Sequence, residues 1–238
     1  RSKGHYVTVS FPHVSLLSAE TEEAVVGIVA KELRGLADSI LKQKAFSKLL
    51  VVGLGNRDIT ADAVGPKALD EITPTAHVGD HELSLLKLRS ISAIVPGVTG
   101  KTGIETADMG LAAVALTAPD LIIAVDALAA LSCGRLGTTI QITDAGISPG
   151  AGIGNRRAVF TQRTLGIPII AIGVPTVVNS SVLVEEAFLK AGEDIPDPLK
   201  EILEKERGYF VCPQDCDMIT HRTASMVGKA INTAFSEL

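Results

Sequence analysis

The chain has 238 residues, with 22 Lys and Arg against 27 Asp and Glu and a net charge of −5. Hydrophobic residues make up 46% and charged residues 21%, which excludes a disordered chain. The acidic balance excludes a basic surface of the kind that coats nucleic acid. Aromatics are only 3% and Trp is absent, so the core must be built from Val, Ile, Leu and Ala.

Residues 1–17 are short and β-like around Tyr6–Val9. From Ser18 to Lys44 an amphipathic helix is expected, because Val25, Val26, Ile28, Val29, Leu33, Leu36 and Ile40 recur at helical spacing. Leu49–Leu54 is a continuous apolar run, as in a strand buried on both faces. A helix follows from Gly65 to Ile72, with Pro66 in its first turn. Ile91–Val95 and Leu121–Val125 are further buried strands, with a helix between them over Ile104–Ala118. Thr138–Thr143 and Ile167–Ile172 are two more strands, separated by a glycine-rich loop over 146–155. Residues 184–210 turn charged and helix-forming, as in a surface excursion. A helix over 212–236 closes the chain, with Met218, Ile219, Met226, Val227, Ile231 and Phe235 on one face.

Strands alternating with helices imply an α/β protein: one domain over 1–238, three-layered αβα, with a mainly parallel twisted sheet. No stretch reaches the roughly 18 apolar residues of a membrane span, and no apolar stretch of a secretory signal follows Arg1–His5. Three cysteines do not make a disulfide framework, so a reducing cytoplasm is expected.

Gly53-Leu54-Gly55-Asn56-Arg57-Asp58 follows a strand but lacks the third glycine and the downstream acidic residue of a dinucleotide site. Cys212, Cys216 and His221 form a weak metal set. Their plainer reading has Cys212 at a helix N-cap and Cys216 as a small core residue. Cys133 stands alone. The carboxylates say more. Asp126 ends the Leu121–Val125 run and Asp62 lies in the loop after Leu49–Leu54. In a parallel sheet all strand carboxyl ends open on one edge, where ligands bind. Two aspartates meeting there suit acid–base catalysis, since proximity pushes their pKa values apart. The same pattern also suits structural roles, Asp62 capping a helix and Asp126 anchoring its loop.

The blocks 51–56, 60–66, 92–98, 102–106, 124–130, 139–142 and 165–178 resemble, in order, those of the bacterial spore germination proteases. That resemblance implies an endopeptidase that starts the degradation of small acid-soluble spore proteins. It also implies a hydrolase-like fold (phosphorylase/hydrolase type) related to the hydrogenase maturation proteases. Asp62 and Asp126 then fall on the catalytic positions, with an atypical aspartic mechanism and no cofactor. A metal-dependent peptidase, with a divalent ion on Asp62, Asp126 and Glu105, is one alternative. The other is a catalytically silent spore-associated relative. Supporting or substrate-binding roles fall on Asn56, Glu105, Gly150, Gly152, Asn155 and Arg156. The family pattern departs at Ser148, where His is usual, and at Asn179, where Asp is usual. Zymogen processing, a homotetramer and a spore-core location are further implications of the resemblance, while charge and hydropathy already argue against nucleic-acid and membrane partners.

Overall fold

Among the described residues the aliphatic runs become seven strands: β1 (Tyr6–Ser10), β2 (Lys48–Gly53), β3 (Ser90–Ile94), β4 (Leu121–Ala130), β5 (Thr139–Thr143), β6 (Ile169–Asn179) and β7 (Phe210–Val211). The helices are α1 (Ala19–Ile40), α2 (Val64–Ala68), α3 (Asp80–Leu86), α4 (Thr99–Thr102), α5 (Thr106–Thr117), α6 (Gln162–Leu165), α7 (Ser180–Ala191), α8 (Asp197–Lys205) and α9 (Cys216–Phe235). This computed structural model describes residues 3–148, 159–205 and 208–237.

The strands form one sheet in the order β1-β5-β6-β4-β2-β3, with β7 added on β6. Strands β3, β2, β4 and β6 run parallel, whereas β1, β5 and β7 pair antiparallel. The sheet is therefore mixed: its parallel half carries the site and an antiparallel flank completes it.

Alternation along the strands divides the core. Leu49, Val51, Leu121, Ile123, Val125, Ile170 and Ile172 face α1 and α9, while Leu50, Val52, Ile122, Ala124 and Ile169 face α5 and α6. Each large aliphatic side chain buried this way stabilises by about 1.5–3 kcal/mol. Ser18 caps α1, accepting a hydrogen bond from the Thr21 N–H at 3.2 Å. The buried stripe of that helix runs through Val25, Val26, Val29, Ala30, Leu33, Leu36 and Ala37. Ile28, expected on that stripe, is exposed instead, because the sheet-facing arc is filled by Ala30 and Ala37. Met218 on α9 likewise faces outward, while Ile219, Met226, Val227, Ile231 and Phe235 are buried.

Three boundaries differ from the sequence reading. The helix expected over 65–72 is the short α2 followed by a 3-10 turn, Leu69–Glu71. Strands β4 and β6 run on to Ala130 and Asn179, so Asp126 lies inside a strand rather than after one. The last helix starts at Cys216 with Asp215 as its N-cap residue. Cys212 is exposed and therefore not the cap, whereas Cys216 is buried.

Arg222 on α9 reaches across to α1, donating to Glu22 Oε2 at 2.6 Å and to the carbonyls of Leu17 and Val14. The segment before α3 lies along β3. The Thr75 and Ala76 N–H groups donate to the Ile91 carbonyl, at 2.9 and 3.0 Å. The Ile91 N–H in turn donates to Thr75 Oγ1. The segment over 184–210 contains most of α7, which buries no residue, and α8, before the chain returns to the sheet as β7. Among the described residues no helix is long and apolar enough to cross a membrane.

Candidate active site

The site lies beyond the end of β2, beside the middle of β4. Beyond β2 the chain doubles back through Gly55 and Asn56 into a 3-10 turn, Thr60–Asp62, and then α2. Two glycines make this return possible. Gly55 adopts φ +108°, and a Cβ there would collide with the Asp62 carbonyl oxygen. Gly65 packs so closely that a Cβ would meet the carbonyl oxygens of Leu54 and Val125. A Cβ on Gly53 would likewise meet the Gly65 carbonyl oxygen, so Gly53-Leu54-Gly55 serves backbone–backbone approach, which explains its partial likeness to a nucleotide loop.

The Asp62 turn rests on four hydrogen bonds from outside it. The Asn56 N–H donates to Asp62 Oδ2 at 2.8 Å and also lies 3.1 Å from the Asp62 carbonyl. Thr176 Oγ1, on β6, donates to the Ala61 carbonyl at 2.6 Å. Thr220 Oγ1, on α9, donates to the Thr60 carbonyl at 3.1 Å. Neither threonine stood out in the sequence. For Thr176 the available signal was a lone polar residue in the otherwise apolar run from Ile169 to Val178, whereas Thr220, beside His221 and Arg222, gave none.

Asp126 is 4% exposed. Along β4 it follows Ile122 and Ala124 on the α5 side of the sheet, and it pairs in register with Gly173 of β6. The Ala127 N–H donates to its Oδ1 at 2.9 Å. Burial, reinforced by the negative charge of Asp62, pushes the Asp126 carboxyl up to about 8, against the smaller opposing pull of the Ala127 bond. Two carboxyl groups, Asp126 on β4 and Asp62 on the turn after β2, thus lie within electrostatic reach, and the raised pKa favours a proton on Asp126 at neutral pH.

The family model for germination proteases matches residues 1–190. The chain belongs to the germination protease family. It is 47% identical over 182 residues to the germination protease of Priestia megaterium, covering 76% of this chain and 49% of that relative. To the germination proteases of Caldanaerobacter subterraneus and Clostridium acetobutylicum it is 37% and 36% identical, covering 97% and 98% of this chain and 78% and 79% of theirs. A NiFe hydrogenase maturation protease from Thermococcus kodakarensis KOD1 aligns with 19% identity and a TM-score of 0.35 over 70% of this chain and 99% of that one, too low a similarity to transfer a site. Membership places the protein among proteases, hydrolases of peptide bonds.

The other residues expected at a germination protease site fall as follows. Asn56 borders Asp62, and its side-chain oxygen accepts from the Asp58 N–H at 3.1 Å. Glu105 precedes α5, is exposed, and accepts from Thr99 Oγ1 at 3.3 Å. Gly150, Gly152, Asn155 and Arg156 lie outside the described residues. Ser148 is half-buried in the loop after β5. Asn179 caps α7, accepting from the Ser181 N–H at 3.0 Å, a task an aspartate performs equally well. Among the described residues no three His, Cys, Asp or Glu side chains come together as a metal site. Glu105 therefore does not complete a three-carboxylate set with Asp62 and Asp126, nor does His221 complete one with the two cysteines.

Proposed function

We propose that the protein hydrolyses peptide bonds with Asp62 and Asp126 as a metal-free general acid–base pair. The observation that carries this reading is Asp126, a buried carboxyl raised to about 8 beside a second carboxyl beyond the end of β2. A water held between the pair gives a proton to Asp62 as its oxygen attacks the scissile carbonyl carbon. Asp126 then gives its proton to the leaving nitrogen as the C–N bond breaks. Return of the proton from Asp62 to Asp126 resets the pair, which titrates as a unit. General acid–base help of this kind is worth about 10²–10⁴-fold. Among the described residues the pair lacks the third His, Cys, Asp or Glu ligand of a dedicated all-protein metal site, and the proposed steps use only these two carboxyls and water.

The resemblance to the spore germination proteases supports small acid-soluble spore proteins as substrates and the spore core as the place of action. Zymogen processing and a homotetrameric assembly belong to the same proposal. The test is cleavage of a purified small acid-soluble spore protein by the wild type, Asp126→Asn and Asp62→Asn, with and without EDTA. Cleavage by the wild type alone, unchanged by EDTA, is expected. Cleavage abolished by EDTA would overturn the metal-free mechanism. Cleavage retained by both variants would overturn the pair.

A further inference from the structure

We propose that Thr176 is a positioning residue for this reaction, its hydroxyl aimed by a β-bulge onto the backbone of the turn that carries Asp62. The inference rests on the Asp62–Asp126 reading and extends it to a residue outside the pair.

The pairing of β4 with β6 runs in unbroken register from Ile122–Ile169 to Leu128–Pro175 and resumes at Ala129–Val177. Thr176 is the extra residue on β6. A bulge takes the inserted residue out of the pleat's alternation and re-aims its side chain. Here the hydroxyl, on a fully buried residue, donates to the carbonyl of Ala61, the residue just before Asp62. The three-residue turn has no side-chain cap of its own, so its height above the sheet depends on bonds from outside. Thr220, also fully buried, holds the Thr60 carbonyl from the α9 side.

Strand β6 therefore does two things with one backbone. At Gly173 it pairs with Asp126, and three residues later it fixes the Asp62 turn. The separation of the two carboxyl groups is set by the same strand that registers one of them. Valine would fill this core position with no polar atom to satisfy. The threonine hydroxyl adds a directional bond that packing alone would not.

Thr176→Val keeps the shape and removes the donor, and Thr176→Ser keeps the donor. For spore-protein cleavage, Thr176→Val is expected to lower kcat by about 10- to 100-fold, the scale of a small misplacement of reacting groups. KM should change less than about two-fold, and Thr176→Ser should restore kcat. Amide exchange at Asn56 and Asp62 should speed up in Thr176→Val and stay slow in Thr176→Ser. Wild-type kcat and unchanged exchange in a folded Thr176→Val would overturn the proposal. If Thr176→Val does not fold, Thr176→Cys, with a weak S–H donor, takes its place. Its kcat should fall between those of the serine variant and Asp126→Asn, and a kcat equal to wild type would overturn the inference. Cleavage retained in Asp126→Asn would overturn the pair and this inference together. A dead Asp126→Asn beside an unimpaired Thr176→Val would overturn the positioning role alone.

Discussion

Burial of Asp126 costs stability in a way that depends on pH. Its folded-state pKa, about 8, lies above the ordinary carboxylate value, so the folded protein holds the proton more tightly than the unfolded chain. The stability Asp126 contributes is greatest in acid and declines as pH rises from the carboxylate range toward 8, at up to ~1.4 kcal/mol per pH unit. Asp126→Asn removes this dependence. Urea unfolding at pH 5, 7 and 8.5 should show the variant gaining on the wild type as pH rises, and a constant difference would refute the burial argument. Gly55→Ala tests the other side of the site. With φ at +108° and the Asp62 carbonyl in the way of a Cβ, the change should cost more than ~1 kcal/mol by urea midpoint and lower cleavage as the turn shifts. The two aspartates were legible in the sequence because each follows an apolar run that ends on the same sheet edge. Thr176 was visible only as a lone polar residue in an apolar run, since the bulge that aims it depends on the pairing of two strands.

At the scale of elements, strand and helix existence was legible and strand length was not. A carboxylate after Leu121–Val125 looks like a strand end, because a charged residue is costly to bury. Asp126 escapes that cost by staying protonated, and β4 continues to Ala130. The strand read as Ile167–Ile172 likewise runs on to Asn179, through Pro175 directly before the bulge, where strand proline is tolerated. The amphipathic stripe of α1 was read nearly correctly, and its contact with α9 is the broadest between helices. Leu33 lies wholly buried in it. Leu33→Ala should cost about 2–5 kcal/mol, read as a lowered urea midpoint with cleavage per folded molecule unchanged. Arg222→Ala should also destabilise, since it strips Glu22 and two carbonyls of their shared donor.

For the molecule as a whole, the parallel half of the sheet was readable and the antiparallel flank was not. Hydrophobic runs look alike whichever way the partner strand points. Local opening should follow the same division. Amides in β2 and β4, covered on both faces, are expected to exchange slowest, and those of α7, which buries no residue, among the fastest. Native-state hydrogen exchange checks this, and equal protection in α7 and β4 would contradict it. The backbone around Thr75 and Ala76, which occupies both outward-facing groups of Ile91, has a colloidal consequence. The outer rim of β3 offers an incoming chain no continuous template at its first turn of pairing. Fibril-like growth from that side would first have to peel away native hydrogen bonds, leaving the far rim at β1 as the more vulnerable border in a crowded compartment.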